Sequence, residues 1–256
     1  AHYPHDPYLN DLCDKYGILL LDEANVESHG MRYGEESLAK DPDWEKAHFQ
    51  RLRSMIQRDK NYPSRVIWSH GNEAGNGVYF VAMNYEAHRL DPTRPTHYHF
   101  AELPISSDII GGWKRGPGPI WQGRYLEVTD LYKYQYSDDK RPFILNEYAH
   151  AMGNSIGNLA DYWELIYSEP VLCGGFIWDW VDQGIRQPVP PEYRTITDQD
   201  TFIAYGGWWE DKAAIYNDNN FCQNGLVDAD RNPHAGLWAI KYVHRNLHAS
   251  AADIEK

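Results

Sequence analysis

The sequence predicts an α/β fold built on a parallel β-sheet. Short apolar runs that end in polar residues alternate with helical segments at a spacing of roughly 30–40 residues, and this alternation indicates parallel βα units. About six such units can be counted along the 256 residues. A closed barrel needs eight strands. The residues alone therefore leave two architectures open, a barrel that is incomplete at its N-terminus and an open α/β sheet.

The individual elements follow from the apolar periodicity and from the turn residues between the runs. Strands are predicted at residues 17–25, 66–69, 96–100, 108–110, 143–146 and 173–180. Helices are predicted from Pro42, with Asp41 as its cap, and at residues 80–90, 125–136, 159–166 and 234–244. Residues 187–200, which hold three prolines, are predicted to be an excursion from this pattern.

The composition restricts the classes of partner. The formal net charge of -13 argues against nucleic acid or an anionic membrane surface. No segment approaches the roughly 20 apolar residues that a membrane-spanning helix needs. The three cysteines are widely spaced, so reduced thiols in a cytoplasmic protein are expected. Aromatic residues make up 14% of the chain, which fits either a large core or a surface that stacks on sugar rings.

Two glutamates follow apolar runs, and each comes directly after an asparagine. Glu147 follows Asn146, and Glu73 follows Asn72. Glycoside hydrolysis needs one carboxylic acid to protonate the leaving oxygen and one carboxylate to attack the sugar or activate water. The ends of strands in a parallel sheet can hold such a pair rigidly. From the residues alone, two unrelated glutamates in salt bridges remain an equal alternative.

A further acidic group lies after the first predicted strand. Glu27 and His29 are two residues apart in what should be an extended loop, so their side chains should point the same way. A carboxylate and an imidazole together suit Mg²⁺ or Mn²⁺. The alternative is a hydrogen-bonded loop without a metal. Motifs for dinucleotides, nucleoside triphosphates, zinc proteases and serine hydrolases are absent from the sequence.

Several longer segments resemble the catalytic barrel of glycoside hydrolase family 2, in particular its bacterial β-galactosidases. The most specific is the octapeptide Glu-Tyr-Ala-His-Ala-Met-Gly-Asn at residues 147–154. The resemblance covers nearly the whole chain, through residues 2–4, 12–17, 22–31, 58–61, 68–73, 146–155, 174–183 and 220–227. It implies a (β/α)8 TIM barrel that lacks roughly its first one to two strands. It also implies that residues 1–235 form the catalytic region and that residues 236–256 begin a following β-sandwich domain.

The resemblance assigns roles to the two glutamates and to the acidic loop. It implies that Glu147 is the nucleophile and Glu73 the general acid/base of a retaining exo-glycosidase that hydrolyses terminal β-D-galactosides. It implies that Glu27, His29 and Glu73 bind Mg²⁺ (or Mn²⁺). The segment before Trp113 lacks the tyrosine that family members carry on the sixth strand, so the residue that replaces it is left open.

The resemblance also implies a sugar pocket and a second cation. The substrate-binding residues would be His2, Asn72, His150, Trp178 and Asn224. Phe221 and Asn224 would contribute to a Na⁺ site. The full-length protein is expected to be a homo-oligomer. The alternatives are another family-2 exo-glycosidase, a β-glucuronidase or β-mannosidase, and a non-catalytic carbohydrate-binding fragment.

Overall fold

A computed structural model describes residues 2–31, 33–101, 103–112, 125–209 and 217–247. The chain divides into two compact units. The first unit comprises Ala1–Asn146 and Glu169–Gly174, and the second comprises Glu147–Ser168 and Gly175–Lys256. None of the helices in these ranges is both long and apolar enough to cross a bilayer.

A six-stranded sheet carries the first unit, in the order β1-β2-β3-β4-β5-β6. Its strands are β1 (Leu20–Glu23), β2 (Arg65–Ser69), β3 (Thr96–Tyr98), β4 (Ile109–Ile110), β5 (Phe143–Tyr148) and β6 (Leu172–Ile177). The pairs from β1 to β5 are all parallel. Each strand therefore lies beside its neighbour in the chain, which is the order expected of consecutive βα units. The last residues of β5 and β6 belong to the second unit.

Helix α1 (Pro7–Tyr16) precedes β1, and three further helices of the first unit connect strands: α2 (Glu45–Asp59), α3 (Val78–Leu90) and α4 (Val128–Tyr134). The predicted strand at residues 17–25 is shortened, because Gly17 ends α1 in a left-handed conformation at φ +70°. The helix predicted from Pro42 begins with a short 3₁₀ turn, Pro42–Trp44, before α2. The Asp41 side chain caps that turn by accepting the N–H of Asp43 at 3.0 Å.

The core of the first unit lies between the sheet and helices α2 and α3. Leu52 and Ile56 of α2 are fully buried together with Phe80 of α3 and Tyr98 of β3. The rings of Phe80 and Tyr98 stack with their centroids 3.9 Å apart. The Tyr98 hydroxyl donates a hydrogen bond of 2.6 Å to the Gly75 carbonyl, so its buried polar group is satisfied.

Truncation of this core is expected to destabilise the protein strongly. Leu52→Ala should lower the free energy of unfolding by about 2–5 kcal/mol, because the fully buried site cannot collapse around the lost methyl groups. Urea unfolding followed by fluorescence measures this change. The matched control is Leu247→Ala at a side chain that is 87% exposed. Equal, small effects of both substitutions would contradict the packing described here.

The second unit contains α5 (Leu159–Ser168), the strands β7 (Ile185–Pro188) and β8 (Thr201–Ala204), and α6 (Ala235–Val243). Strands β7 and β8 form a two-stranded antiparallel sheet. Residues 187–200, predicted to be an excursion from the alternating strands and helices, begin within β7 and end directly before β8. The division of the chain at residue 235 stays a prediction.

Candidate active site

The residues predicted for the site fall into one group in each unit. The first unit holds His2, Glu27, His29, Asn72 and Glu73. The second holds Glu147, His150, Trp178, Phe221 and Asn224.

In the first unit, the loops after β1 and β2 continue side by side beyond the strands. The Asn72 N–H donates to the Val26 carbonyl at 2.9 Å, and Glu27 and Asn72 form an isolated parallel bridge. Gly71 makes this approach possible, because a Cβ there would lie 2.5 Å from the Val26 carbonyl oxygen. Its φ of +141° is also rarely adopted by other residues. The backbone therefore fixes Asn72 beside Glu27.

Glu27 is a half-buried carboxylate that accepts two hydrogen bonds on its Oε2 atom. Asn72 Nδ2 donates at 2.9 Å, and the Tyr3 hydroxyl donates at 2.8 Å. Burial raises the pKa of Glu27 above its ordinary value, and the negative charge of Glu73 adds to the rise. The two hydrogen bonds act in the opposite direction and do not cancel it. The negative charges of Glu27 and Glu73 are thus close enough to repel each other.

Glu73 follows β2 with a φ of +36°. Positive φ at a residue other than glycine is uncommon and concentrates at functional sites. The Tyr33 hydroxyl donates to Glu73 Oε1 at 3.3 Å, and it also makes a short contact with His29 Nδ1. His29 Nδ1 itself lies 3.7 Å from Glu73 Oε1. The loop therefore brings His29 beside the predicted acid/base, with Tyr33 between them.

The divalent cation predicted for Glu27, His29 and Glu73 fits these residues by donor type. Two mutually repelling carboxylates and an imidazole suit Mg²⁺ or Mn²⁺. Within the described ranges, no three histidine, cysteine or acidic side chains are gathered as a metal-binding group. Binding would exchange the hydrogen bonds of Glu27 to Tyr3 and Asn72 for the cation.

In the second unit, Glu147 is buried, and its neighbour in β5 is firmly anchored. The Tyr148 hydroxyl accepts a 2.7 Å hydrogen bond from Trp163 Nε1 and lies 2.9 Å from His244 Nε2. Burial lowers the pKa of His244 and raises that of Tyr148 to about 12. The Tyr148 hydroxyl therefore keeps its proton and can donate a hydrogen bond to Nε2 of a neutral His244. These contacts fix the strand at the residue that follows Glu147.

The pocket residues predicted in the second unit are linked through the backbone. The Trp178 carbonyl accepts the N–H of Ala151 at 2.8 Å, and the Asn224 carbonyl accepts the N–H of Asp179 at 2.8 Å. The rings of His150 and Phe221 lie 5.3 Å apart. Trp178 and Asn224 are thus held within a single backbone network.

The chemistry of Asn224 suits the predicted Na⁺ site. This residue is 1% exposed, and its Oδ1 atom has no hydrogen-bond partner in the described part of the chain. A buried carbonyl oxygen without a donor is a natural ligand for a monovalent cation. The Phe221 side chain is 50% exposed, so its ring does not close the site.

Sequence reasoning did not find two tyrosines of the site. Tyr3 and Tyr33 contact Glu27 and Glu73 through their hydroxyl groups. Their only signal was position, Tyr3 directly after His2 and Tyr33 four residues after His29. Trp113 and residues 114–124, where a residue that replaces the tyrosine of the family was sought, lie outside the described residues.

Two buried histidines of the first unit give a prediction for acid stability. Burial lowers the pKa of His70 to about 3 and that of His97 to about 4, below the ordinary value near 6.5. Below pH 6.5 the unfolded chain therefore binds protons at these histidines that the folded protein does not bind. The free energy of unfolding falls as the pH drops from about 6.5 towards 4. His97 alone accounts for a loss on the order of 3 kcal/mol.

His97→Gln should flatten the pH dependence of the unfolding free energy between pH 4 and about 6.5. Urea titrations at several pH values measure it. His234→Gln, at a ring that is 48% exposed, is the control. An unchanged slope in His97→Gln would contradict the prediction.

Known families match this chain along almost its whole length. The model described as "Glycosyl hydrolases family 2, TIM barrel domain" matches residues 1–249. The chain is 40% identical over 258 residues to a β-galactosidase of Photobacterium profundum, covering 100% of this chain and 24% of that protein. It is 42% identical over 240 residues to a β-galactosidase of Enterobacter cloacae, covering 93% and 22%. The chain thus spans about a quarter of these curated relatives.

Solved structures are similar in fold at lower identity. The β-glucuronidase of Ruminococcus gnavus superposes with a TM-score of 0.63 at 21% identity, covering 94% of this chain and 42% of that chain. A family-2 β-galacturonidase of Eisenbergiella tayi bound to galacturonate gives 0.61 at 17%, covering 97% and 44%. Together with the family match, these similarities confirm the predicted TIM-barrel fold class.

Proposed function

The chain belongs to the TIM-barrel domain of glycosyl hydrolase family 2, whose model matches residues 1–249, and from that premise we propose that it carries the catalytic region of a retaining β-galactosidase. One observation carries this proposal, the 40% identity to a β-galactosidase over 100% of the chain. The placement of Glu73 after β2 and of Glu147 in β5 supports it.

The proposed reaction is a double displacement. The Glu147 carboxylate attacks the anomeric carbon while the Glu73 carboxylic acid protonates the leaving glycosidic oxygen, which gives a galactosyl ester and a free alcohol. Glu73, now ionised, then takes a proton from water. The water oxygen attacks the anomeric carbon, the ester bond breaks, and galactose leaves with its original configuration.

The residues around Glu73 support its double role. The Tyr33 hydroxyl donates to its Oε1 atom at 3.3 Å and so orients the carboxyl group. Mg²⁺ or Mn²⁺ bound by Glu27, His29 and Glu73 would supply positive charge that tunes the acidity of Glu73. Na⁺ bound at Asn224 and Phe221 would hold a sugar hydroxyl.

Sugar recognition is assigned to the residues that the family resemblance indicates. The pocket residues are proposed to be His2, Asn72, His150, Trp178 and Asn224. Trp178 would stack on the apolar face of the sugar, and the amides and imidazoles would hydrogen-bond its hydroxyl groups. A homo-oligomeric state and a cytoplasmic location also stay proposals.

A panel of nitrophenyl glycosides tests the substrate. The β-D-galactoside should be hydrolysed with a kcat/KM at least about a hundredfold above those of the β-D-glucuronide and β-D-mannoside. Both competitors differ from galactose at C4, and also at C6 or C2, so they would leave polar groups of the site unpaired. Proton NMR of the first product should show the β-anomer. Preference for the glucuronide or mannoside would overturn the substrate, and an α-anomer would overturn the mechanism.

A further inference from the structure

A line of hydrogen bonds crosses the first three strands of the sheet, from His2 to a buried histidine. His2 Nδ1 lies 3.1 Å from Glu23 Oε1. The Ser69 hydroxyl donates to Glu23 Oε2 at 3.1 Å and lies 3.3 Å from His97 Nδ1. Glu23, Ser69 and His97 are buried, whereas the His2 side chain is 31% exposed. The line therefore runs from a partly open side chain into the core.

The direction of each hydrogen bond follows from its donors. Glu23 also accepts the Tyr3 N–H on Oε1 at 3.2 Å, so each of these bonds ends on its carboxylate. Burial by itself would raise the pKa of Glu23, but the hydrogen bond from His2 and the other donors outweigh it, and the pKa lies below its ordinary value. Glu23 is therefore ionised, and His2 Nδ1 must carry a proton.

The hydrogen-bond donors also determine which nitrogen of His97, at the inner end of the line, carries the proton. Because the Ser69 hydroxyl gives its proton to Glu23, His97 must donate from Nδ1. His97 Nε2 then bears a lone pair, and it has no hydrogen-bond partner among the described residues. A Cβ on Gly111 would lie 2.6 Å from this nitrogen, so Gly111 leaves the space that the ring occupies.

The outer end of the line determines what His2 presents to a ligand. In the neutral form of the ring, a proton on Nδ1 leaves the lone pair on Nε2. That nitrogen lies 4.0 Å from Glu27 Oε2, beside the group formed by Glu27 and Asn72. It is thus a hydrogen-bond acceptor on the side of the proposed sugar pocket.

The backbone next to His2 depends on the same carboxylate. Tyr3 has a φ of +65°, which is unusual for a residue other than glycine. Its N–H is bound by Glu23, and its hydroxyl is bound by Glu27. One buried carboxylate therefore anchors both the ring of His2 and the strained backbone that follows it.

We propose that Glu23 is the positioning residue of His2, that it fixes the Nδ1–H tautomer so that Nε2 accepts a hydrogen bond from a sugar hydroxyl, and that Ser69 and His97 hold Glu23 in place. This inference rests on the proposed function for the role of His2 in the pocket. A hydrogen bond to one ring nitrogen of a histidine generally fixes the tautomer and the orientation of the ring, and thereby what the other nitrogen presents to a ligand.

A double-mutant cycle tests the proposal. His2→Gln, Glu23→Leu and the double variant are compared by kcat/KM on the nitrophenyl β-D-galactoside. Glu23→Leu should lower kcat/KM by about tenfold to a hundredfold. The double variant should lose little more than His2→Gln, since the proposed effect of Glu23 on the sugar is exerted through His2. Glu23→Gln should recover much of the loss, because an amide oxygen can still accept from Nδ1.

A second readout is independent of catalysis. Nitrogen NMR of protein labelled with ¹⁵N-histidine, with the His2 signal assigned from its loss in His2→Gln, should show the Nδ1–H tautomer in the parent and its loss in Glu23→Leu. Thermal unfolding checks that each variant is folded. Glu164→Gln, at an exposed glutamate of α5, is the control that should change neither readout.

The outcomes separate the two proposals. Additive losses in the double variant, or an unchanged His2 tautomer in Glu23→Leu, would overturn the positioning role and leave the proposed function intact. If His2→Gln had no effect on kcat/KM while Glu147→Gln abolished it, the pocket role of His2 would be overturned and the positioning role with it. If the protein hydrolysed no β-galactoside, the proposed function would fail, and the NMR readout alone would decide whether Glu23 fixes His2.

Discussion

Glu147→Gln is expected to reduce kcat on a nitrophenyl β-D-galactoside by at least about a thousandfold, or roughly 4 kcal/mol of transition-state stabilisation. The substitution keeps the size of the side chain and removes the carboxylate that attacks the anomeric carbon in the first step. Glu147 is buried in β5, and its neighbour Tyr148 is anchored by Trp163 and His244. The amide should therefore occupy the same position without disturbing the strand.

The control for this substitution is the same chemical change at Glu164, an exposed residue of α5. Its activity should equal that of the parent. A loss of less than about tenfold in Glu147→Gln would rule out its role as nucleophile. A 2-fluoro galactoside that leaves Glu147 unlabelled by mass spectrometry would have the same consequence, since such a compound traps the covalent ester.

Glu73→Gln is expected to lower the rate by an amount that depends on the leaving group. Galactosides of alkyl alcohols need protonation of the departing oxygen, and their hydrolysis should fall by about a hundredfold to ten-thousandfold. An aryl group that leaves as a stable phenolate needs little help, so the first step with a dinitrophenyl galactoside should be much less affected. Single-turnover kinetics on both substrates measures the difference.

The control for the acid/base assignment is Glu164→Gln, at an exposed glutamate of α5 that the proposed mechanism does not use. It should leave the hydrolysis of alkyl and aryl galactosides unchanged. Equal losses for both leaving groups in Glu73→Gln would argue that Glu73 only shapes the site. Tyr33→Phe removes the hydrogen-bond donor to Glu73 Oε1, and it should lower the rate on alkyl galactosides by less than Glu73→Gln does.

The sequence predicted the order of elements because hydrophobic periodicity is local. The apolar run ending at Asn146 became β5, which extends two residues further to Tyr148. The apolar face with Phe80 and Leu90 became α3. It missed α1, where polar residues dominate and the clearest helical signals are Asp6 before Pro7 and the terminating Gly17. The strand predicted at residues 17–25 began too early for the same reason. A glycine that ends a helix in the left-handed conformation cannot be told from sequence apart from a glycine at the start of a strand.

The chemistry of the site was predictable only as far as residue type. Carboxylates after apolar runs indicated Glu73 and Glu147, and the resemblance to a family supplied their roles. Nothing in the residues alone placed Asn72 against Glu27, because that contact depends on the register of β1 on β2 and on the space left by Gly71. Sequence periodicity does not reveal the register between two strands that are about 45 residues apart in the chain.

By itself, the sequence determined the parallel α/β class, the identity of the two glutamates and the acidic loop with His29. The tertiary structure alone decided what surrounds them. It brought Tyr3 to Glu27, Tyr33 to Glu73, and Glu23 to His2 across 21 residues of chain. The physical reason is that buried polar groups must find partners wherever the fold places them, and here those partners lie 21 to 40 residues away in the chain.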